Sequence, residues 1–497
     1  MAGIPSKSSP SLAIFRYWPS LAGIIFFVLF SATIVRAGPP GGESGLPEGF
    51  LWGSFIAAHS VEGNHTNEWT AWEAIPGHIS DGSVSGPACN HWELFAEDHQ
   101  WMKKLNQNSV LVSLEWSKIE PVKGQFDEQA IAHYRSVLES LKTLGIKPIV
   151  VLWDYTLPQW MAGYGGLEMP LIIFDFTQYV VKVSQKLGDL VDSWATMNDP
   201  VSYANKAFKD ATYPPGRSDI AALGKGMVSL FGMHQGAFHA LKKNDVTPAY
   251  GGNPCDVGIV MAMKHVRPAR PEHPIDVSLS RAADGLSGKA FLDGLMQGQL
   301  NLPPATPAVG KGKGAPEAPP VTHQVSYDAK TLDFIVVDYK GLEEIKFNVF
   351  KPLMIEKTIP AGLTMDDSGQ VIYPEGLTSI LLSLKKYPVT LFVMAGIADS
   401  TGARRGAFLV DHIRQIRAAV AQGCNVAGFF YKSLLSGFEF EKGFSIKRGL
   451  LDVNTKIQER TPAGGADIFA GLAKSNGSSE TPVKLGKTSS RKPKKSK

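Results

Sequence analysis

The chain has 497 residues, a formal net charge of +4, 44% hydrophobic residues and three cysteines. Seven of the last fourteen residues are Lys or Arg with no acid among them, so the remaining body is slightly acidic and carries no nucleic-acid footprint. Three cysteines, Cys89, Cys255 and Cys424, allow at most one disulfide; they lack metal-type spacing and read as buried free thiols.

In chain order, Lys7 and Arg16 precede an apolar run of 15 residues, 21–35 (LAGIIFFVLFSATIV). That length suits the core of a signal peptide better than a full span; extended back to Trp18, it suits a short signal anchor. Residues 1–37 are therefore expected to direct the chain into the secretory pathway, secreted or held at a membrane through 18–35. Secretory entry makes Asn64 (Asn-His-Thr) and Asn476 (Asn-Gly-Ser) glycosylation candidates. Residues 38–49 read as a Gly/Pro-rich linker.

From residue 50 to 473, short apolar runs alternate with amphipathic stretches. The runs at 110–114, 149–152, 194–197, 257–261, 334–337, 390–393 and 427–430 suit buried parallel strands. Helical periodicity appears at 93–105, 129–144, 177–187, 224–241, 377–385 and 408–421. Such alternation predicts an α/β fold, a (β/α)8 TIM barrel. A doubly wound sheet is the alternative, but no Gly-rich phosphate fingerprint follows any run. Residues 298–325 are rich in Pro, Gly, Ala and Lys and read as a surface insert at the barrel rim. Residues 474–497 read as a basic disordered tail. Trp52, Trp69, Trp72, Trp92, Trp116 and Trp153 read as core residues rather than sugar platforms.

Ordered blocks then narrow the class. They include FLWGSFIAAHSVEG at 50–63, LEWSKIEP at 114–121, LKTLGIKPIVVLWDYTLPQW at 141–160, DSWATMNDP at 192–200, LDFIVVDY at 332–339, IYPEGL at 372–377 and SLLSGFEFEKGFSIKRGLLDV at 433–453. In content and order they resemble glycoside hydrolase family 1, the retaining β-glucosidase-like enzymes. The resemblance implies a β-glycoside or other glycan ligand and no cofactor or metal; it names no protein partner.

Retaining hydrolysis needs an acid and a nucleophilic carboxylate about 5–5.5 Å apart. By the resemblance, the acid/base Glu of the family's Asn-Glu-Pro is here Asp199 in Asn198-Asp199-Pro200. Its carboxylate is one methylene shorter, retracted by about 1.5 Å, which weakens proton transfer in a tight site. The nucleophile of the family's Thr-Glu-Asn-Gly falls on Met394 in Val393-Met394-Ala395-Gly396. A thioether carries no charge and forms no glycosyl ester.

The supporting positions depart together. The family Arg that holds the nucleophile aligns with Leu111, the Tyr beside it with Lys340, the sugar-binding Gln with Ser60, the sugar-binding His with Asp154, and a Trp with Lys432. Asn198 and Glu439 match the family's sugar subsite, and the Trp after the latter is Phe440. Losing Arg and Glu together avoids leaving either charge buried alone. Glu439 reads equally as a ligand for a sugar hydroxyl or as a partner of Lys432 or Lys340, and Asp154 with Lys340 or Lys432 reads as a new ion pair filling the old pocket. Asp199 reads as a cap of the strand-end turn, and Glu62 and Glu115 read as structural. The expected protein is an inactive or severely impaired glycan- or partner-binding barrel. The alternative is an active O-glycosyl hydrolase or transglycosylase using Asp199 in a rearranged site.

Overall fold

The computed structural model describes residues 45–301, 324–351 and 354–485. The expected targeting segment, the middle of the rim insert and the last residues of the basic tail lie outside them.

Eight parallel strands close into a barrel: β1 (Leu51–Ile56), β2 (Ser109–Ser113), β3 (Lys147–Val151), β4 (Ser193–Asn198), β5 (Asp256–Pro268), β6 (Phe334–Phe347), β7 (Thr390–Ala395) and β8 (Val426–Tyr431). Each pairs with its sequence neighbours, and β8 pairs with β1 to close the circle. The connections carry α1 (His91–Lys104), α2 (Glu128–Thr143), α3 (Ile172–Leu187), α4 (Ile220–Asn244), α5 (Ala290–Gln297), α6 (Glu375–Leu384) and α7 (Arg405–Ala421). α8 (Ala466–Lys474) follows β8. This is the expected (β/α)8 barrel.

Local chemistry explains the elements. In α2, Asp127 caps the first turn by accepting from Gln129 N and Ala130 N. Ile131, Tyr134, Leu138 and Leu141 then recur at helical spacing and are buried. The barrel interior takes side chains from every strand: Phe55, Leu111, Ile149, Ala195, Val260, Val336, Met394 and Phe430 belong to one buried apolar cluster. These are the packed layers of a small barrel rather than a pore.

β5 and β6 run well past the apolar stretches that marked them, remaining paired as far as Pro268 and Ile345. Polar residues stay in strand there because Lys264 pairs with Glu343 (2.9 Å) and Arg267 with Glu344 (3.1 Å). The ends of the rim insert also pair, Gln299–Asn301 against Gln324–Ser326, as a two-stranded antiparallel ribbon.

The barrel's closure extends beyond its expected limits at both ends. Asn476 Nδ2 donates to Leu46 O (2.7 Å) and Pro47 O (3.2 Å), and its Oδ1 accepts from Trp52 Nε1 (3.0 Å). Val483 and Leu485 pack on the main core. The first part of the expected tail is thus laid on the barrel, since its apolar residues find a core surface to cover. All three cysteines are free and buried. Trp52, Trp69, Trp116 and Trp153 are buried, and Trp72 and Trp92 pack partly buried against the core. Among the described residues, no helix is long and apolar enough to cross a membrane.

Candidate functional site

Strand parity builds the barrel mouth. On β6, Phe334, Val336, Asp338 and Lys340 share one face, pointing progressively from the interior to the mouth. On β7, Met394 lies level with Asp338 of β6 and Phe430 of β8. The apolar filling therefore ends at Val336, Met394 and Phe430, and Asp338 is the first charge above it.

Asp338 is the centre of a triad. Lys340 Nζ and Lys432 Nζ each lie 2.8 Å from its Oδ2. Lys432 stands just beyond β8, on the interior face that Phe430 begins. Burial pushes the Asp338 carboxyl up, but the two ammonium groups outweigh it and hold the carboxyl below its usual range. Burial drives Lys340 down, and together with the neighbouring Lys432 and Arg448 charges it outweighs the Asp338 carboxylate; Lys340 settles at about 8. Burial pulls Lys432 down as well, but the charge and hydrogen bond of Asp338 together with the Glu439 charge outweigh it and hold Lys432 above its usual value.

This corrects the expected pairing. The lysines' carboxylate is Asp338, and neither Asp154 nor Glu439 forms an ion pair with them. Asp154 accepts from Asn198 Nδ2 (2.8 Å) and Ser113 Oγ (3.1 Å), and burial raises its carboxyl. Glu439 pairs with Arg448 (3.3 Å), which also reaches Asp366 (3.5 Å) and Ser368 Oγ (2.7 Å). The i, i+2 spacing of Asp338 and Lys340 signalled the first partner; nothing local to Glu439 signalled Arg448.

Asp199 follows β4 in the left-handed region at φ 40°. Its N–H donates to Val260 O (2.8 Å), and its carboxylate accepts from Ser202 N (3.4 Å) as the N-cap of a helix, Pro200–Phe208. Tyr155 Oη donates to it as well (3.2 Å). Asp199 is expected to cap the strand-end turn; in the structure it caps the helix that follows the turn. Each of the four carboxylates Asp154, Asp199, Asp338 and Glu439 already has a hydrogen-bond or ion-pair partner.

Leu111 and Met394 are both fully buried in the interior cluster. Ser60 bonds through its backbone, to Ala57 O and from Phe438 N (3.0 and 2.9 Å). Phe440, at φ 48°, sits in an aromatic group with ring centroids 4.7 Å from Trp69, 5.3 Å from Tyr155, 5.5 Å from His59 and 6.0 Å from Tyr213. Tyr155 and Phe440 keep partial exposure. Glu62 is held by Tyr134 Oη (2.9 Å) and Lys118 (3.5 Å). Glu115 accepts from Ser117 Oγ (2.6 Å) and Thr156 Oγ1 (3.1 Å), and its Oε2 lies near two buried histidines, His59 and His65.

The closed barrel, with its chemistry-bearing residues at the strand ends, is an architecture of glycan-processing proteins among many others. The family model for glycosyl hydrolase family 1 matches residues 43–478, and the chain belongs to that family. It is 27% identical to a β-galactosidase of Pyrococcus woesei over 87% of this chain and 97% of that protein. It is 26% identical to β-glucosidase A of Acetivibrio thermocellus over 87% and 98%. Among solved structures, a β-glycosidase from Pyrococcus horikoshii superposes with a TM-score of 0.77 at 28% identity, covering 87% of this chain and 95% of that one. A β-glucosidase from Thermotoga maritima in complex with glucoimidazole superposes with a TM-score of 0.77 at 23% identity, covering 87% and 99%, a likeness of fold.

Proposed function

We propose that this chain is a family 1 barrel that has lost β-glycoside hydrolysis and keeps a pocket for a glycan. The observation that carries the reading is the packing of Met394. It lies fully buried among Leu111, Val336 and Phe430, where the resemblance puts the attacking carboxylate. A thioether at that position neither forms a glycosyl ester nor balances an oxocarbenium charge. Asp199 is spent on a helix cap and the Tyr155 hydroxyl. Binding is supported by what remains: Asn198 and Glu439 at the sugar subsite, and the partly exposed Tyr155 and Phe440 rings, on which apolar sugar faces stack. The related glucosidase structure in complex with glucoimidazole favours the same ligand class. The apolar run at 21–35 supports placement on the secretory route, secreted or anchored at a membrane.

The test is incubation of the purified chain with an aryl β-glucoside. We expect no turnover above the buffer rate, together with saturable binding of a β-glucoside seen by Trp fluorescence. Turnover that disappears in Asp199→Ala overturns the loss of hydrolysis and establishes the active alternative.

A further inference from the structure

Against the Phe440 aromatic group lies a second polar cluster that hydrolysis and sugar binding leave unused. His59 sits in the first turn after β1, His65 in the loop that follows it, and Glu115 in the loop after β2. All three are buried, and one ligand atom from each lies within 4.8 Å of the others.

The hydrogen bonds assign the protons. Thr70 N donates to Asn67 Oδ1 (3.0 Å), so the other terminal atom of Asn67 is its amide nitrogen. That amide lies 3.1 Å from His59 Nδ1 and 3.3 Å from Glu115 Oε2 and donates to both. His59 Nδ1 is therefore an acceptor, and its ring N–H is at Nε2, facing Glu73 Oε2 at 3.5 Å. His65 Nε2 faces the Ala58 carbonyl at 3.1 Å, a group that only accepts, so the His65 proton is on Nε2. His65 Nδ1 then presents a bare lone pair. It points at Glu115 Oε2, 3.7 Å away, and meets no hydrogen-bond donor.

Two electron-rich atoms facing each other in a buried space repel unless a cation lies between them.

We infer that His59 Nδ1, His65 Nδ1 and Glu115 Oε2 form a binding site for one divalent transition-metal ion of the zinc class. Two neutral imidazole nitrogens and one carboxylate oxygen suit Zn²⁺, Co²⁺ or Fe²⁺ far better than Ca²⁺ or Mg²⁺, which take oxygen ligands. The surroundings have the form of an outer shell that orients metal ligands. The Ala58 carbonyl holds the far N–H of His65, Glu73 stands behind the far N–H of His59, and Thr156 and Ser117 fix the Glu115 carboxylate. Metal bonds of about 2.0–2.2 Å draw the three donors together, and the Asn67 amide gives way. Three protein ligands leave a fourth position for water. His59 stacks on Phe440 at 15°, so the ion would tie the loops after β1 and β2 together beside the Phe440 aromatic group.

The test uses the full chain, stripped with a chelator and titrated calorimetrically with Zn²⁺. One equivalent is expected to bind saturably and raise the melting temperature, and His65→Gln is expected to weaken it about 100-fold or more. X-ray absorption of the zinc-loaded wild type should show two imidazoles and a carboxylate, a readout that stands even where His65→Gln does not fold. Absence of saturable zinc, zinc binding indifferent to His65→Gln in a folded variant, or a first shell without paired imidazoles overturns the assignment. Those results would leave a hydrogen-bonded polar core.

Discussion

Installing the Arg and Glu that the family resemblance implies at residues 111 and 394 tests whether these two positions face one another across the barrel. Met394→Glu places a carboxylate, with no exposure, in the interior cluster that includes Leu111, Val336 and Phe430 and level with Asp338 on β6. An uncompensated buried charge of this kind costs about 3–5 kcal/mol, part of it relieved by uptake of a proton. Leu111→Arg alone places a guanidinium, which cannot shed its proton, in the same apolar layer, and should cost at least as much. Together the two charges meet, and the double variant should lose less than the sum of the singles by about 2–3 kcal/mol. The assay is urea unfolding followed by Trp fluorescence for the parent, both singles and the double. Additivity within about 0.5 kcal/mol refutes the pairing, because it means that the side chains do not meet. The same double variant, with Asp199→Glu added, is the one in which aryl β-glucoside turnover should first appear.

Three further outcomes follow from the mouth and the chain ends. Asp338→Asn strips the carboxylate from two lysines at once and should destabilise the barrel by about 3 kcal/mol or more, read from the shift in urea midpoint. Lys340, drawn down from 10.5 to about 8, should be acylated at pH 9 well ahead of the exposed lysines, with half-reaction near pH 8, by peptide mass mapping. The sign for stability is definite: between about pH 8 and 10.5 the unfolded chain holds the proton that folded Lys340 has lost, so stability from this group rises with pH across that window. Asn476→Ala removes the bonds to Leu46, Pro47 and Trp52 and should cost about 1–3 kcal/mol, with earlier proteolysis of the C-terminal segment.

Much of the fold was legible because its signals are local. A buried parallel strand needs a short apolar run, and the run at 390–393 appears as β7 at Thr390–Ala395. The outer halves of β5 and β6 were not legible. Their residues are charged, and they stay in strand only because Lys264 and Arg267 meet Glu343 and Glu344 on a neighbouring strand. The docked stretch 475–485 was hidden for the same reason: it is polar by composition and is held by Asn476 reaching residues more than 400 positions earlier.

By itself the sequence determined the barrel, the family resemblance and the side-chain chemistry at each key position: a thioether at 394, an aspartate at 199, lysines at 340 and 432. Those properties belong to single residues and to spacings along one strand. Only the tertiary structure decided the partners. Lys432 comes from β8 to Asp338 on β6, Arg448 takes Glu439, and His59, His65 and Glu115 converge from loops after two different strands. Ion pairs and ligand sets depend on distances of 3–4 Å between remote segments, and closure of the barrel is what sets those distances.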